Sequence, residues 1–173
     1  MLKVNRRIKD IVGSTTLAIT ARANELKAQG RDVVSFGAGE PDFDTPDFIK
    51  EAAMAAIQKG FTKYTPSTGT VELREAIAAK FLKDNHLKYS PNQIVVSCGA
   101  KHALYDIISI LVDDGDEVIF QSPYWVSYPE MVKAAGGKSV IIPTTPANQF
   151  KFSAADLEKH ITPKTKVVII NSP

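Results

Sequence analysis

Hydrophobic positions follow two regimes along this chain. Up to about residue 85 they recur with helical spacing. A helix is predicted over 16–29, opened by Ser14 as a capping residue and closed at Gly30, where the lack of a β-carbon suits a left-handed turn; it carries few large apolar side chains. Residues 32–36 read as a short strand, and 37–45 is turn-forming by composition. Thr45 is the expected cap of the next helix, with Pro46 at its first position and Gly60 just beyond its end, over 48–59. After a loop at 64–69, Leu73, Ile77 and Phe81 form one apolar stripe on a helix over 70–85. From residue 93 the pattern changes to strands at 93–97, 117–121, 138–142 and 166–170. These alternate with helices at 101–112, at 124–135, and from Ser153 to His160, where Asp156 stands three residues after the cap.

Strands separated by helices require crossover connections, so the predicted fold class is α/β: a mostly parallel sheet sandwiched by helices, with an N-terminal arm. The runs 94–96 and 167–170 are continuously apolar, as expected of strands buried on both faces. Residues 171–173 follow the last strand at its carboxyl end, the side on which open α/β sheets place ligands. The chain therefore reads as cut there rather than finished.

Composition narrows the function classes. In 173 residues, 44% hydrophobic and 23% charged content describe an ordinary globular protein with one domain and an appendage. The net charge of +2 comes from 21 basic and 19 acidic residues spread along the chain, which argues against a nucleic-acid partner. One cysteine, Cys98, cannot form an intrachain disulfide, and residues 1–10 lack the apolar core of a secretory signal. A reducing, cytoplasmic setting is expected. No apolar run has membrane-spanning length, so no membrane partner is expected.

The segment 97–101, Ser-Cys-Gly-Ala-Lys, joins an apolar strand to a helix through small residues. Such a turn lets backbone approach a ligand, and the following helix start suits a phosphate. Lys101 in the first turn opposes the helix dipole unless an anion is close; the bland alternative is a lysine facing solvent. Only Gly99 of the three glycines of a dinucleotide fingerprint is present. Cys98, with His102 one turn on, is a conceivable nucleophile, although an inert buried thiol is the simpler reading. His86, His102 and His160 lack partners at metal-ligand spacing, so no metal is expected. Tyr124 and Trp125 follow a strand end, where a flat ring either packs or stacks on a planar cofactor. Tyr64, a loop aromatic, by default covers a core.

Ordered along the chain, several motifs resemble the class I aminotransferases, and within them the bacterial aspartate aminotransferase branch. They are Gly-Ala-Gly-Glu-Pro-Asp-Phe-Asp-Thr-Pro at 37–46, Lys-Tyr-Thr-Pro-Ser-Thr-Gly at 63–69, Glu-Leu-Arg at 72–74, and Gly-Ala-Lys at 99–101. Asp-Gly-Asp-Glu-Val at 114–118, Ser-Pro-Tyr-Trp-Val-Ser-Tyr-Pro at 122–129 and the closing Asn-Ser-Pro complete the set. The resemblance implies pyridoxal 5'-phosphate as cofactor, amino acid and 2-oxo acid substrates, and a homodimer. It implies an arm and small-domain segment over 1–45, then the first part of the cofactor-binding large domain over 46–173. By the same resemblance Gly99, Ala100 and Lys101 hold the cofactor phosphate, Trp125 stacks on its ring, and Tyr64 reaches the phosphate of a neighbouring subunit. Gly39 lies against the substrate carboxylate, the segment from Ser14 to Thr16 closes over the site with Trp125 beside the substrate, and Lys101 selects a distal carboxylate. The lysine that attaches the cofactor, its acidic partner and the carboxylate-binding arginine all fall beyond Pro173 in the family pattern, so no catalytic residue is expected here and the fragment alone should be inactive. Val12 stands where prephenate-accepting relatives have a basic residue. The rivals are an aromatic or prephenate aminotransferase and, in another class, a non-catalytic cofactor- or partner-binding module.

Overall fold

The computed structural model describes residues 3–9 and 11–171; Ser172 and Pro173 of the closing motif lie outside them. Its elements in chain order are α1 (Arg6–Lys9), α2 (Thr15–Ala28), α3 (Asp47–Gln58), α4 (Val71–Asn85), α5 (Ala100–Leu111), β1 (Glu117–Ser122), α6 (Ser127–Ala135), β2 (Lys138–Pro143), α7 (Ala154–Glu158) and β3 (Thr165–Ile169). They divide into two compact units, one comprising Met1–Ala38 with Lys101–Pro173 and the other Gly39–Ala100.

In the first unit the three strands form a parallel sheet in the order β2-β1-β3. Phe120 is in register with Ile141 on one side and Ile169 on the other. Val118, Ile119 and Phe120 of the central strand are at most 1% exposed, so both its faces are covered. The core joins Ile108 and Val112 to this strand and to Tyr128, Met131, Val132 and Ala135. Those last four lie at i, i+3, i+4 and i+7 of α6, one stripe of a helical surface. Fully burying side chains of this size contributes about 1.5–3 kcal/mol each.

Expectation and structure part at β3. Val168 and Ile170 are 37% and 72% exposed while Ile169 is buried. Exposure alternates along β3, so one of its faces is covered and the other is not, and its continuous apolar run does not report burial on both. The predicted helix at 124–135 begins instead at Ser127. Pro129 then sits in the first turn, where its missing N–H costs nothing; a start at Tyr124 would place its ring against a carbonyl one turn earlier. The expected strand at 32–36 is absent, and that stretch forms no ladder.

The second unit holds α3 and α4. Thr70 caps α4, its hydroxyl accepting from the Leu73 amide at 3.3 Å. That helix closes on His86 in a left-handed conformation, and along its stripe Leu73 remains 45% exposed. At α3 the capping position is Pro46 and Thr45 makes no cap; Lys50 ties the first turn by reaching Asp47 at 2.8 Å. Residues 93–97 are extended but not a strand, since the Val96 amide donates to the carbonyl of Thr68 at 3.0 Å, a loop rather than a ladder. Val95 is 66% exposed, contrary to burial on both faces. Gly69 makes that approach with φ of +96°, and a β-carbon there would come within 2.6 Å of Val96.

Candidate functional site

β1 delivers the chain to its carboxyl end at Ser122, and the loop 123–126 follows through a cis Ser122–Pro123 bond. The Thr144 hydroxyl donates to the Ser122 carbonyl, tying the ends of β1 and β2 together. Four aromatic rings gather here. Phe120 meets Tyr124 edge-to-face at 5.0 Å and Tyr128 at 5.9 Å, and Tyr128 meets Trp125 at 5.6 Å with planes 89° apart. The Tyr128 hydroxyl donates to Asn171 Oδ1 at 2.8 Å, joining α6 to the segment that follows β3. Lys101 Nζ lies 4.9 Å from the Trp125 ring centre. A cation over an indole face is held by the ring quadrupole by about 0.5–2 kcal/mol.

Beside Lys101 opens a hollow of about 690 Å³, walled by Val12, Ser14, Tyr105, Tyr124 and Glu130 among others. Its walls are largely apolar, with one ammonium and one carboxylate, a chemistry suited to a small organic anion. The amino-terminal segment is fastened at two points. The Val12 amide donates to Glu130 Oε2 at 3.0 Å, a carboxylate also held by Lys133 at 3.1 Å, and Arg7 pairs with Asp114 at 3.0 Å. Ser14 caps α2 as expected, accepting from the Leu17 amide at 3.3 Å. Thr16 lies in the first turn of α2, and its carbonyl accepts the Thr20 hydroxyl.

Ala100 and Lys101 occupy the first two positions of α5, where a helix supplies no carbonyl for the amides. Gly99 precedes them with φ of +84° and open space where a β-carbon would point; its own amide donates to the Ser97 carbonyl at 2.8 Å. In the second unit Gly39 likewise has open space beside it, and Tyr64 is fully exposed. Cys98 is exposed, not buried. Among the described residues no group of three or more metal-ligating side chains gathers, and no helix is long and apolar enough to cross a membrane.

Sequence reasoning passed over Tyr128, Asn171 as its partner, and Glu130. Tyr128 was marked by one sign: a hydroxyl inside an otherwise apolar stripe of α6. Glu130 left no sign, because the segment it holds is 118 residues away.

A parallel sheet flanked by helices defines an α/β protein, and its carboxyl edge, where the aromatic face and the cation lie, is the side on which open α/β sheets place ligands. The chain belongs to the aminotransferase class I and II family, whose sequence pattern matches residues 31–173. It is 56% identical to an aspartate aminotransferase of Bacillus sp. (strain YM-2), over 96% of this chain and 43% of that one. It is 53% identical to a probable aspartate/prephenate aminotransferase of Aquifex aeolicus (strain VF5), over 96% and 42%. The solved aspartate aminotransferase from Thermus thermophilus with maleate superposes on the whole chain with a TM-score of 0.97 at 47% identity, covering 45% of its own length. The chain thus spans less than half the length of these relatives.

Proposed function

We propose that this chain serves an aspartate-type aminotransferase, as its N-terminal part, moving an amino group between aspartate or glutamate and a 2-oxo acid. The observation that carries the reading is Lys101 Nζ held 4.9 Å over the Trp125 ring, with Lys101 lining a largely apolar hollow. An ammonium there binds the distal carboxylate of a dicarboxylic substrate by attraction of opposite charges. The Thermus relative was solved with maleate, itself a dicarboxylate.

The residues present fit pyridoxal 5'-phosphate in part. Trp125, 38% exposed, offers a ring face for stacking, and the Ala100 and Lys101 amides with the open turn at Gly99 offer a phosphate seat. When bound, that group supplies the electron sink for chemistry at the substrate α-carbon. By the family resemblance Gly39 is assigned to the substrate carboxylate, and the segment from Ser14 to Thr16 to closing over the site. Tyr64, with its hydroxyl in solvent, is assigned to a neighbouring subunit's phosphate, which makes the assembly a homodimer. The covalent lysine belongs to the part of the family pattern after residue 173. In this reading residues 1–45 are an arm and small-domain segment, 46–173 begin the large domain, and the setting is cytoplasmic.

The test is amino transfer from aspartate to 2-oxoglutarate by the complete protein, beside transfer from phenylalanine. Faster turnover of aspartate, lost on Lys101→Ala, is the expected result. Preference for phenylalanine or prephenate would favour the aromatic reading, which the apolar walls support and Val12, in place of a basic residue, opposes. No turnover of any amino acid would point to the binding module.

A further inference from the structure

Tyr128 is 5% exposed and sits in the apolar stripe of α6, where phenylalanine would fill the same volume. A buried hydroxyl is unfavourable unless bonded, and here its partner is Asn171 Oδ1 at 2.8 Å, on the exposed end of β3. The same residue holds Trp125 twice. Its amide donates to the Trp125 carbonyl at 3.0 Å, and its ring stands perpendicular to the indole at 5.6 Å. Trp125 lies in a loop without ladder hydrogen bonds, so side-chain contacts fix its tilt. That tilt in turn places the Lys101 ammonium, carried on a stem with four rotatable bonds.

We propose that Tyr128 is a positioning residue: its hydroxyl bond to Asn171 locks the Trp125 ring, and through that ring sets where Lys101 presents its charge to a dicarboxylate. The kinetic consequence rests on the function proposed above; the placement of Lys101 does not. A structural role alone would need the ring of Tyr128 and not its hydroxyl.

The experiment uses the complete enzyme with Tyr128→Phe, which keeps the ring. In the cofactor-loaded protein the KM for aspartate should rise about two- to ten-fold, the range spanned by loss of one neutral hydrogen bond. The KM for alanine, which has no distal carboxylate, and kcat should stay within two-fold. In the cofactor-free protein, lysines carrying 13C-methyl groups by reductive methylation report the placement directly. The Lys101 resonance, identified by its loss in Lys101→Arg, should lie upfield under the Trp125 ring current and move back toward the bulk lysine position in Tyr128→Phe. Asn171→Ala removes the acceptor from an exposed position and should reproduce both effects, so the claim stays decidable if Tyr128→Phe does not fold. An unmoved Lys101 resonance, or equal losses on aspartate and alanine, would overturn the proposal. If aspartate is not a substrate at all, the function proposal fails and the resonance alone decides this one.

Discussion

The two ends of β1 are treated in opposite ways. At the amino end Glu117, 7% exposed, is closed off on every side: the Thr162 hydroxyl donates to its Oε2 at 2.7 Å and Lys138 stands 3.5 Å from its Oε1. The Thr162 hydrogen bond, aided by the positive charges of Lys138 and Lys164, holds this carboxyl below the usual glutamate range. At the carboxyl end, past Ser122, Trp125 stays partly exposed and Lys101 rests on its ring, and among the described residues no ion pair joins Lys101 to a carboxylate. One strand thus begins in a completed ion cluster and ends beside one that an anion would complete. A charged group near a sheet end is structural when its neighbours already answer it, and a binding candidate when they do not.

The largest effect should come from removing what both ends share. Phe120→Ala deletes a ring at the centre of the core and should cost about 3–5 kcal/mol, seen as a lower denaturant midpoint of the complete protein together with lost activity. Lys101→Ala separates the ends. The loss of one charged hydrogen bond, ~1.5–3 kcal/mol, should lower kcat/KM for aspartate about 10- to 100-fold, with stability lowered by no more than the roughly 0.5–2 kcal/mol of the ring contact. Glu117→Gln should do the reverse, lowering the midpoint at pH 7 while turnover stays unchanged. Because the folded carboxyl titrates below its ordinary value of about 4.3, its stabilisation is present above that value and disappears as pH falls through the folded one. The gap between Glu117→Gln and the original protein in urea melts should therefore close on acidification from pH 7 to pH 3. The smallest effect belongs to neither end: Ser153→Ala removes a reciprocal cap, with the Asp156 amide donating to Ser153 Oγ at 3.1 Å, and should cost about 1 kcal/mol in a thermal melt.

Local signals were legible where the reason for an element is local. Ser14 and Ser153 cap their helices as expected, although Thr45 does not, and the helix and strand order from residue 100 onward stands as the alternation predicted. What failed depended on neighbours. Residues 32–36 and 93–97 have strand-like side chains, but a strand exists only with a partner, and composition does not say whether one is present. The exposure of Val168 against the burial of Val118 follows from position in the sheet, not from residue type. At the site, Lys101 and Trp125 were singled out separately, yet their contact was not, because it depends on how the loop 123–126 turns. In the sequence Glu117 reads only as part of the 114–118 motif and the start of a strand: its partners Thr162 and Lys138 are distant in sequence.

The strand order also sets a timetable. β1 lies between β2 and β3, and the bond that locks Trp125 waits for Asn171, 43 residues after Tyr128. At synthesis rates of about 5–20 residues per second, the ribosome leaves that ring unlocked for several seconds after α6 has emerged. During that interval β2 can cover one edge of β1 while the other edge, with Val118 and Phe120, stays open to wrong pairings. Slow-decoding or chaperone-poor conditions over residues 136–171 should therefore be felt first as aggregation of nascent chains, before any loss in the specific activity of those that finish.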